Sequence, residues 1–341
     1  MQKSCAWNIW ATIGLLGATF AASAVAATAP STQVAAEAHG IRVQPLSVPS
    51  PFGPLRGALA VPAGNGPFPA VVFAAGSGPN DMDETIGPNT PFRDLAVGLA
   101  KAGIASLRFD KRAHEYGLRM AGKPITVDDE ETNDVLSALR VLAKQPHVAA
   151  DRLFVVGHSE GAMLAPRIAK KSGRLAGIVM LAAPARPMLA LLAEQIRYLG
   201  KLQDVPAAQI EAQEQAIAAE RTLLANADPT HPPTGVFFHA PQSFWLSLHD
   251  YDQVAVAKSL ALPMLILQGS NDYQVSPTLD FGVWKKALAK KSNVTFHLFP
   301  GLSHLFMPGP TRSPADYAKP AHVDPAVIQA IADWIKAKPA K

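Results

Sequence analysis

The chain has 341 residues, of which 48% are hydrophobic and 17% charged, enough to bury one large α/β domain or two ordinary ones. Its formal net charge of +4 is spread along the sequence without basic runs or interleaved aromatic and basic residues, which excludes nucleic acid as the expected partner. A single cysteine, Cys5, excludes a disulfide framework.

Residues 1–27 begin with Lys3, continue through the uncharged apolar run Ile9 to Ala22 and reach the small-residue triplet Ala24-Val25-Ala26. This is the pattern of a secretory signal with its cleavage site. The expectation is a protein secreted to the periplasm, with Cys5 removed and no stable membrane partner afterwards. The alternative is an uncleaved anchor, because Ile9 to Ala29 is long enough to span a bilayer. Residues 28–40, rich in Ala, Ser and Thr, read as a linker.

Ile41 to Val48 and Leu55 to Val61 are short β-type runs separated by a Pro- and Gly-containing turn, which predicts an antiparallel hairpin at a sheet edge. Ala70 to Ala75 is a continuous apolar run suited to a strand buried on both faces. Strands and helices then alternate, the pattern of a mainly parallel sheet covered by helices. Thr90 and Pro91 predict a helix start, with Leu95, Leu99 and Ala102 inward and Gly103 at its end; Ile104 to Phe109 is the next strand. Thr126 and Asp129 fit a capping box, the acidic run Asp128 to Glu131 suits a helix N-terminus, and Val135, Leu139 and Leu142 share one face. Further strands are expected at Leu153 to Val156, Gly177 to Ala182, Pro263 to Gln268 and Val294 to Phe299, and a final helix at Pro325 to Ala337. That makes eight strands, with the alternation broken after the sixth.

The break, residues 185–250, holds the helical stretches Met188 to Leu199 and Ala207 to Ala225, the latter with Glu211, Glu214 and Glu220 on its polar side. It is too long for a crossover loop. A helical lid over the strand ends is expected, where open α/β sheets bind ligands, dividing the core into 41–184 and 251–341. A separate interaction module is the alternative.

Chemistry centres on Gly157-His158-Ser159-Glu160-Gly161, preceded by the strand-like Leu153-Phe154-Val155-Val156 and followed by a helix-compatible run. A serine at the tip of so sharp a turn is exposed above the sheet edge, and the flanking positions have no room for Cβ atoms. Its hydroxyl needs a base and the base needs an orienting anion. His304, in a Gly-containing loop past the last strand, is the expected base, with His322 as substitute; His158 lies inside the turn and points away. Asp272, at the C-terminal end of the seventh strand after Gly269, is the expected anion. Asp280, expected to face solvent from the next helix, and Asp252 are its competitors. The backbone N–H of Glu160 and that of Ser77, with Gly76 as the alternative to Ser77, are expected to hold the developing oxyanion. The order Ser159, Asp272, His304 is that of the α/β-hydrolases. Asp81, Asp83 and Glu84 lack the ligand number for Ca²⁺ and the His or Cys for Zn²⁺, so their expected role is tying the loop. Asp110, Lys111 and Arg112 are expected to form a structural ion pair beneath the site.

On Gly76-Ser77-Gly78-Pro79-Asn80-Asp81-Met82-Asp83-Glu84, Arg108 to Arg112, the serine turn, Leu181 to Pro184, Leu267 to Val275 and Pro300 to His304, the chain resembles bacterial α/β-hydrolases. The resemblance, over residues 41–337, is to dienelactone hydrolase-like and serine aminopeptidase-like carboxylesterases. Two positions depart from that pattern: Ala74, often a His or small apolar residue in relatives, and Glu160, often neutral. An acidic Glu160 is expected to disfavour anionic substrates. The reading is a secreted serine hydrolase that cleaves a small-molecule carboxylic ester through an acyl-enzyme and implies no cofactor or metal. An aminopeptidase or amidase, with Glu194 or Glu211 anchoring a substrate amine, is one alternative. A non-enzymatic binding protein on the same fold is the other.

Overall fold

The computed structural model describes residues 40–228 and 230–339. The signal segment expected over 1–27, and the linker expected over 28–40 except Gly40, lie outside them. Eight strands form one sheet: β1 (Arg42–Pro45), β2 (Gly57–Val61), β3 (Phe68–Ala74), β4 (Ala105–Phe109), β5 (Val148–His158), β6 (Gly177–Leu181), β9 (Met264–Gly269) and β10 (Val294–Phe299). The two-residue strands β7 (Val236–Phe237) and β8 (Ala240–Pro241) pair separately. The order across the sheet is β1-β2-β4-β3-β5-β6-β9-β10, with β2 antiparallel to both neighbours and every other pairing parallel.

The central strands β3, β6 and β9 are apolar on both faces because both faces are covered. Along β3, Ala70, Val72 and Ala74 join one core while Val71 and Phe73 join the other; β5 divides likewise, Val155 to one side and Phe154 and Val156 to the opposite one. Helix α1 (Pro91–Lys101) and the C-terminal helix, Pro325–Lys336, supply Phe92, Leu95, Leu99, Val327 and Ile331 to the second core. After α2 (Arg112–Met120), helices α3 (Asn133–Leu142) and α4 (Glu160–Ser172) pack on the first. Also on this side lie α5 (Met188–Leu202), α6 (Ala207–Ala225) and α7 (Gln242–His249), through Leu192, Ile196, Ile217 and Trp245. Among the described residues no helix is long and apolar enough to cross a membrane.

The chain passes from β3 outward to β4 and then returns to place β5 on the other side of β3, so the order of connection reverses between β3 and β5. Such a reversal opens a crevice at the C-terminal strand ends. The loop after β3 and the turn after β5 both empty into it.

Several local expectations need correction. Strand β5 begins at Val148, five residues before Leu153, and Phe68 pairs with Val148 before the register shifts at Ala70. Gly269 continues β9 instead of breaking it: a Cβ there would stand 2.9 Å from the Leu302 carbonyl carbon, so the missing side chain lets the two loops meet. The Thr126–Asp129 capping box forms, but Asp128–Thr132 is a wide, π-type turn ahead of α3, burying Glu130 and Glu131. Glu220 is buried, not on the polar side of α6, and accepts from Gln242 Nε2 at 2.9 Å.

Candidate functional site

Ser159 sits between β5 and α4 with φ 52° and ψ −115°, a backbone region disfavoured for any residue with a side chain. Its N–H donates to the Leu181 carbonyl at 2.9 Å and its own carbonyl accepts from Met163 N at 2.9 Å, which fixes the turn to β6 and α4. The glycine at 161 is needed because a Cβ would stand 2.6 Å from the Ala75 oxygen. The turn at Ser159 and the loop after β3 are therefore in van der Waals contact, backbone on backbone.

Asp272 and His304 are brought together from the ends of β9 and β10. His304 Nδ1 lies 2.8 Å from Asp272 Oδ2, and both residues are buried. The carboxylate also accepts from Gln268 Nε2 at 2.9 Å, Gln274 N at 2.8 Å and Val275 N at 2.9 Å, so its orientation is held by three donors besides the ring. His304 reaches the serine turn through the neighbouring residue: its backbone carbonyl is 2.9 Å from His158 Nε2. Among the described residues no hydrogen bond joins Ser159 Oγ to His304. Such contacts are often long before substrate binds.

The competitors lie elsewhere. His322 contacts Asp94 at the surface, and Asp252 caps α8 (Gln253–Ser259) by accepting from Ala255 N. Asp280 does not face solvent: it is fully buried and accepts from Ala185 N, Arg186 N, the Arg186 guanidinium and Ser276 N. It anchors the chain where it leaves β6. Arg186 also pairs with Glu194, so that carboxylate is already engaged, while Glu211 is exposed and accepts from Gln215.

The loop after β3 is held by buried charges. Ala75 N donates to Glu131 Oε1 at 3.2 Å and Gly76 N to Glu84 Oε1 at 2.6 Å, while the Gly76 carbonyl accepts from Lys111 Nζ at 2.9 Å. Gly76 is thereby corrected as an alternative oxyanion donor, its N–H being occupied. Ser77 is exposed, and its carbonyl accepts from Asn80 Nδ2 at 3.2 Å. Glu160 N is the first amide of α4 and has no intrahelical acceptor. Among the described residues neither the Ser77 nor the Glu160 N–H has a hydrogen-bond acceptor.

Asp110, Lys111 and Arg112 make three separate arrangements instead of one pair. Asp110 meets Arg56 at 2.9 Å and Arg112 meets Asp134 at 2.7 Å, while Lys111, 1% exposed, is surrounded by Glu130 at 2.9 Å and by Glu131 and Glu160 at 3.4 Å each. Burial pushes the Glu131 carboxyl up to about 8 and that of Glu160 up to about 7, against the opposing pull of Lys111. Burial opposes the charge on Lys111, yet Glu130, Glu131 and Glu160 raise its pKa well above the usual lysine value. The Glu160 side chain thus points into this cluster and not toward a substrate, which removes the basis for expecting it to repel anions. Asp81, Asp83 and Glu84 tie the loop as expected: Asp81 accepts from Thr85 N at 2.9 Å, Asp83 from Arg93 and Arg108, and Glu84 from Gly76.

The pairing of Glu84 with His158 and the enclosure of Lys111 by Glu130, Glu131 and Glu160 were missed by sequence reasoning. The only signal for them is charge placed beside strands whose other residues are apolar.

Residues 71–319 match the Alpha/beta hydrolase family. The chain belongs to that family. Esterase EstD of Thermotoga maritima is 39% identical to this α/β-hydrolase family chain over 282 residues, 82% of this chain and 65% of that protein. The chain therefore spans less than two thirds of that relative's length. A probable 2-oxo-3-(5-oxofuran-2-ylidene)propanoate lactonase of a Bradyrhizobium species is 34% identical over 119 residues, 32% of this chain and 45% of that protein. Among solved structures, an esterase of Pyrococcus furiosus superposes with a TM-score of 0.55 at 16% identity, covering 88% of this chain and 92% of its own. A puromycin-hydrolyzing peptidase of Mycobacterium tuberculosis gives 0.57 at 17% identity, covering 92% of this family member and 41% of its own chain. The two structures share its fold.

Proposed function

We propose that the protein is a secreted serine hydrolase that cleaves small carboxylic esters through an acyl-enzyme. The observation that carries this reading is the buried His304 Nδ1 to Asp272 bond of 2.8 Å, tied through the His304 carbonyl to the turn that presents Ser159. An imidazole whose Nδ1 donates to a carboxylate keeps Nε2 as the proton acceptor.

In the reaction, Ser159 Oγ bonds to the ester carbonyl carbon as His304 Nε2 takes the hydroxyl proton. The carbonyl oxygen gains the charge, which the Ser77 and Glu160 N–H groups receive. Collapse breaks the bond to the alkoxy oxygen, and His304 returns its proton to the departing alcohol. Water then attacks the acyl group with His304 again as base, releasing the acid and restoring the serine. No cofactor enters these steps. Residues 185–250 act as a lid that sets acyl preference, and the N-terminal signal pattern supports export to the periplasm.

Similarity to a protein named an esterase supports an ester over an amide as the substrate here. So does the engagement of Glu194 by Arg186, which takes away one of the two acidic anchors an aminopeptidase would use. The test is hydrolysis of p-nitrophenyl esters graded by acyl size beside aminoacyl anilides, with fluorophosphonate labelling and a Ser159→Ala control. Ester turnover and labelling that both vanish in Ser159→Ala are expected. Labelling that survives the substitution, or anilides cleaved faster than every ester, overturns the reading.

A further inference from the structure

His158, the residue before the serine, is enclosed, yet both its ring nitrogens are hydrogen-bonded to oxygen. Nδ1 lies 3.0 Å from Glu84 Oε1 and 2.9 Å from Oε2, and Nε2 lies 2.9 Å from the His304 carbonyl oxygen. A carbonyl oxygen has no proton to give, so Nε2 carries one. Glu84 Oε1 also accepts from Gly76 N at 2.6 Å. Opposite the carboxylate form of Glu84, which only accepts, Nδ1 carries a proton too and the ring is an imidazolium.

Three segments meet at this ring. Glu84 comes from the loop after β3, His304 from the loop after β10, and His158 itself ends β5. The charged or titratable groups facing it are Glu84, His304 and Asp272, while Phe92 presents a ring edge at 6.5 Å. Burial opposes charge on His158, but Glu84 and the His304 carbonyl outweigh it and raise the ring's pKa. The side-chain hydrogen bonds the pair makes to the backbone go to Gly76 in the loop after β3 and to His304 in the loop after β10.

We propose that Glu84 and His158 form a buried carboxylate–imidazolium pair that holds the loop bearing Ser77 and the loop bearing His304 in register over Ser159. Both are positioning residues, and the role rests on the serine hydrolase reading. Breaking the pair lets the two loops settle independently. A displacement on the order of 1 Å at a reacting group costs about 10²-fold in rate.

The test uses the full protein with ¹⁵N-labelled histidine. Long-range ¹H–¹⁵N spectra at about pH 8, well above an ordinary histidine pKa, should show both His158 nitrogens protonated, the signal being assigned by its loss in His158→Gln. In Glu84→Gln the same ring should carry one proton. A one-proton ring in the unmodified protein overturns the ion pair. Kinetics on a p-nitrophenyl ester test the positioning role: Glu84→Gln and His158→Gln should each lower kcat by about 10- to 100-fold while KM stays within about twofold, because neither residue faces substrate. His158→Gln keeps a donor for the His304 carbonyl and should retain more kcat than His158→Ala. Unchanged kcat in Glu84→Gln, which conserves shape if the alanine variant fails to fold, overturns the positioning role. Absence of Ser159-dependent turnover in the unmodified protein would sink the hydrolase reading and the role together. That outcome is distinct from active protein with indifferent Glu84 and His158 variants.

Discussion

If the turn carries backbone strain for the sake of Ser159, removing the side chain should relieve it. The comparison is Ser159→Gly against Ser159→Ala, both lacking the hydroxyl. At φ 52° and ψ −115° a residue with a Cβ carries about 1–3 kcal/mol of strain, which Ala keeps and Gly sheds. Glycine loses more chain entropy on folding, about 0.4–1 kcal/mol relative to Ala. The difference leaves the Gly variant more stable by about 1 kcal/mol, roughly a fivefold change in the folding equilibrium. Urea unfolding of the two variants, read by tryptophan fluorescence, measures it. Lys170→Gly is the control: it lies on the exposed side of α4 at an ordinary helical position, so glycine there should cost about 0.5–1 kcal/mol. A Ser159→Gly variant no more stable than Ser159→Ala, with the control behaving as stated, refutes the strain argument.

Other outcomes follow from the same geometry. Lys111→Met takes the cation away from the buried Glu130, Glu131 and Glu160 and should cost about 3–5 kcal/mol; a loss under about 1 kcal/mol in urea melts would contradict the burial assigned to this lysine. Burial raises the folded Glu131 carboxyl to about 8, against roughly 4.3 in an unfolded chain. Between those values the unfolded chain has lost this proton and the folded chain keeps it, so stability falls as pH rises through the window and levels off above it, by up to about 1.4 kcal/mol per unit. Glu131→Gln has no such proton, so its stability should fall less steeply between pH 5 and 8; parallel slopes would refute the shift. Gly161→Ala forces a Cβ to 2.6 Å from the Ala75 oxygen, and should lose about 1–3 kcal/mol together with fluorophosphonate labelling. Asp272→Asn should lower kcat on the order of 10³- to 10⁴-fold while leaving the fold intact, as circular dichroism would verify.

The sheet was legible because its central strands are buried on both faces and therefore read as near-continuous apolar runs, such as Phe68–Ala74 and Met264–Gly269. The start of β5 was not, since Asp151 and Arg152 are polar and partly exposed and resemble a turn when read without their partner strand. Gly157 through Gly161 announced the sharp turn because sterics leave few residue choices there. The buried charges gave no such notice. Periodicity reports burial only through apolar residues, and Lys111, Glu131, Asp280 and Glu84 are inside only because partners distant in sequence meet them there. An acidic run such as Asp128 to Glu131 looks the same whether it faces water or a lysine contributed by another loop.

The enclosure of Lys111 also has a practical side. Its amine lies behind the turn at Ser159, roofed by Glu160 and the carbonyl of Gly76. An acylating label applied to the native molecule should skip this one lysine while marking those at the surface. A peptide modified at Lys111 would then come from molecules in which the floor of the crevice had opened, giving a built-in gauge of how often that happens.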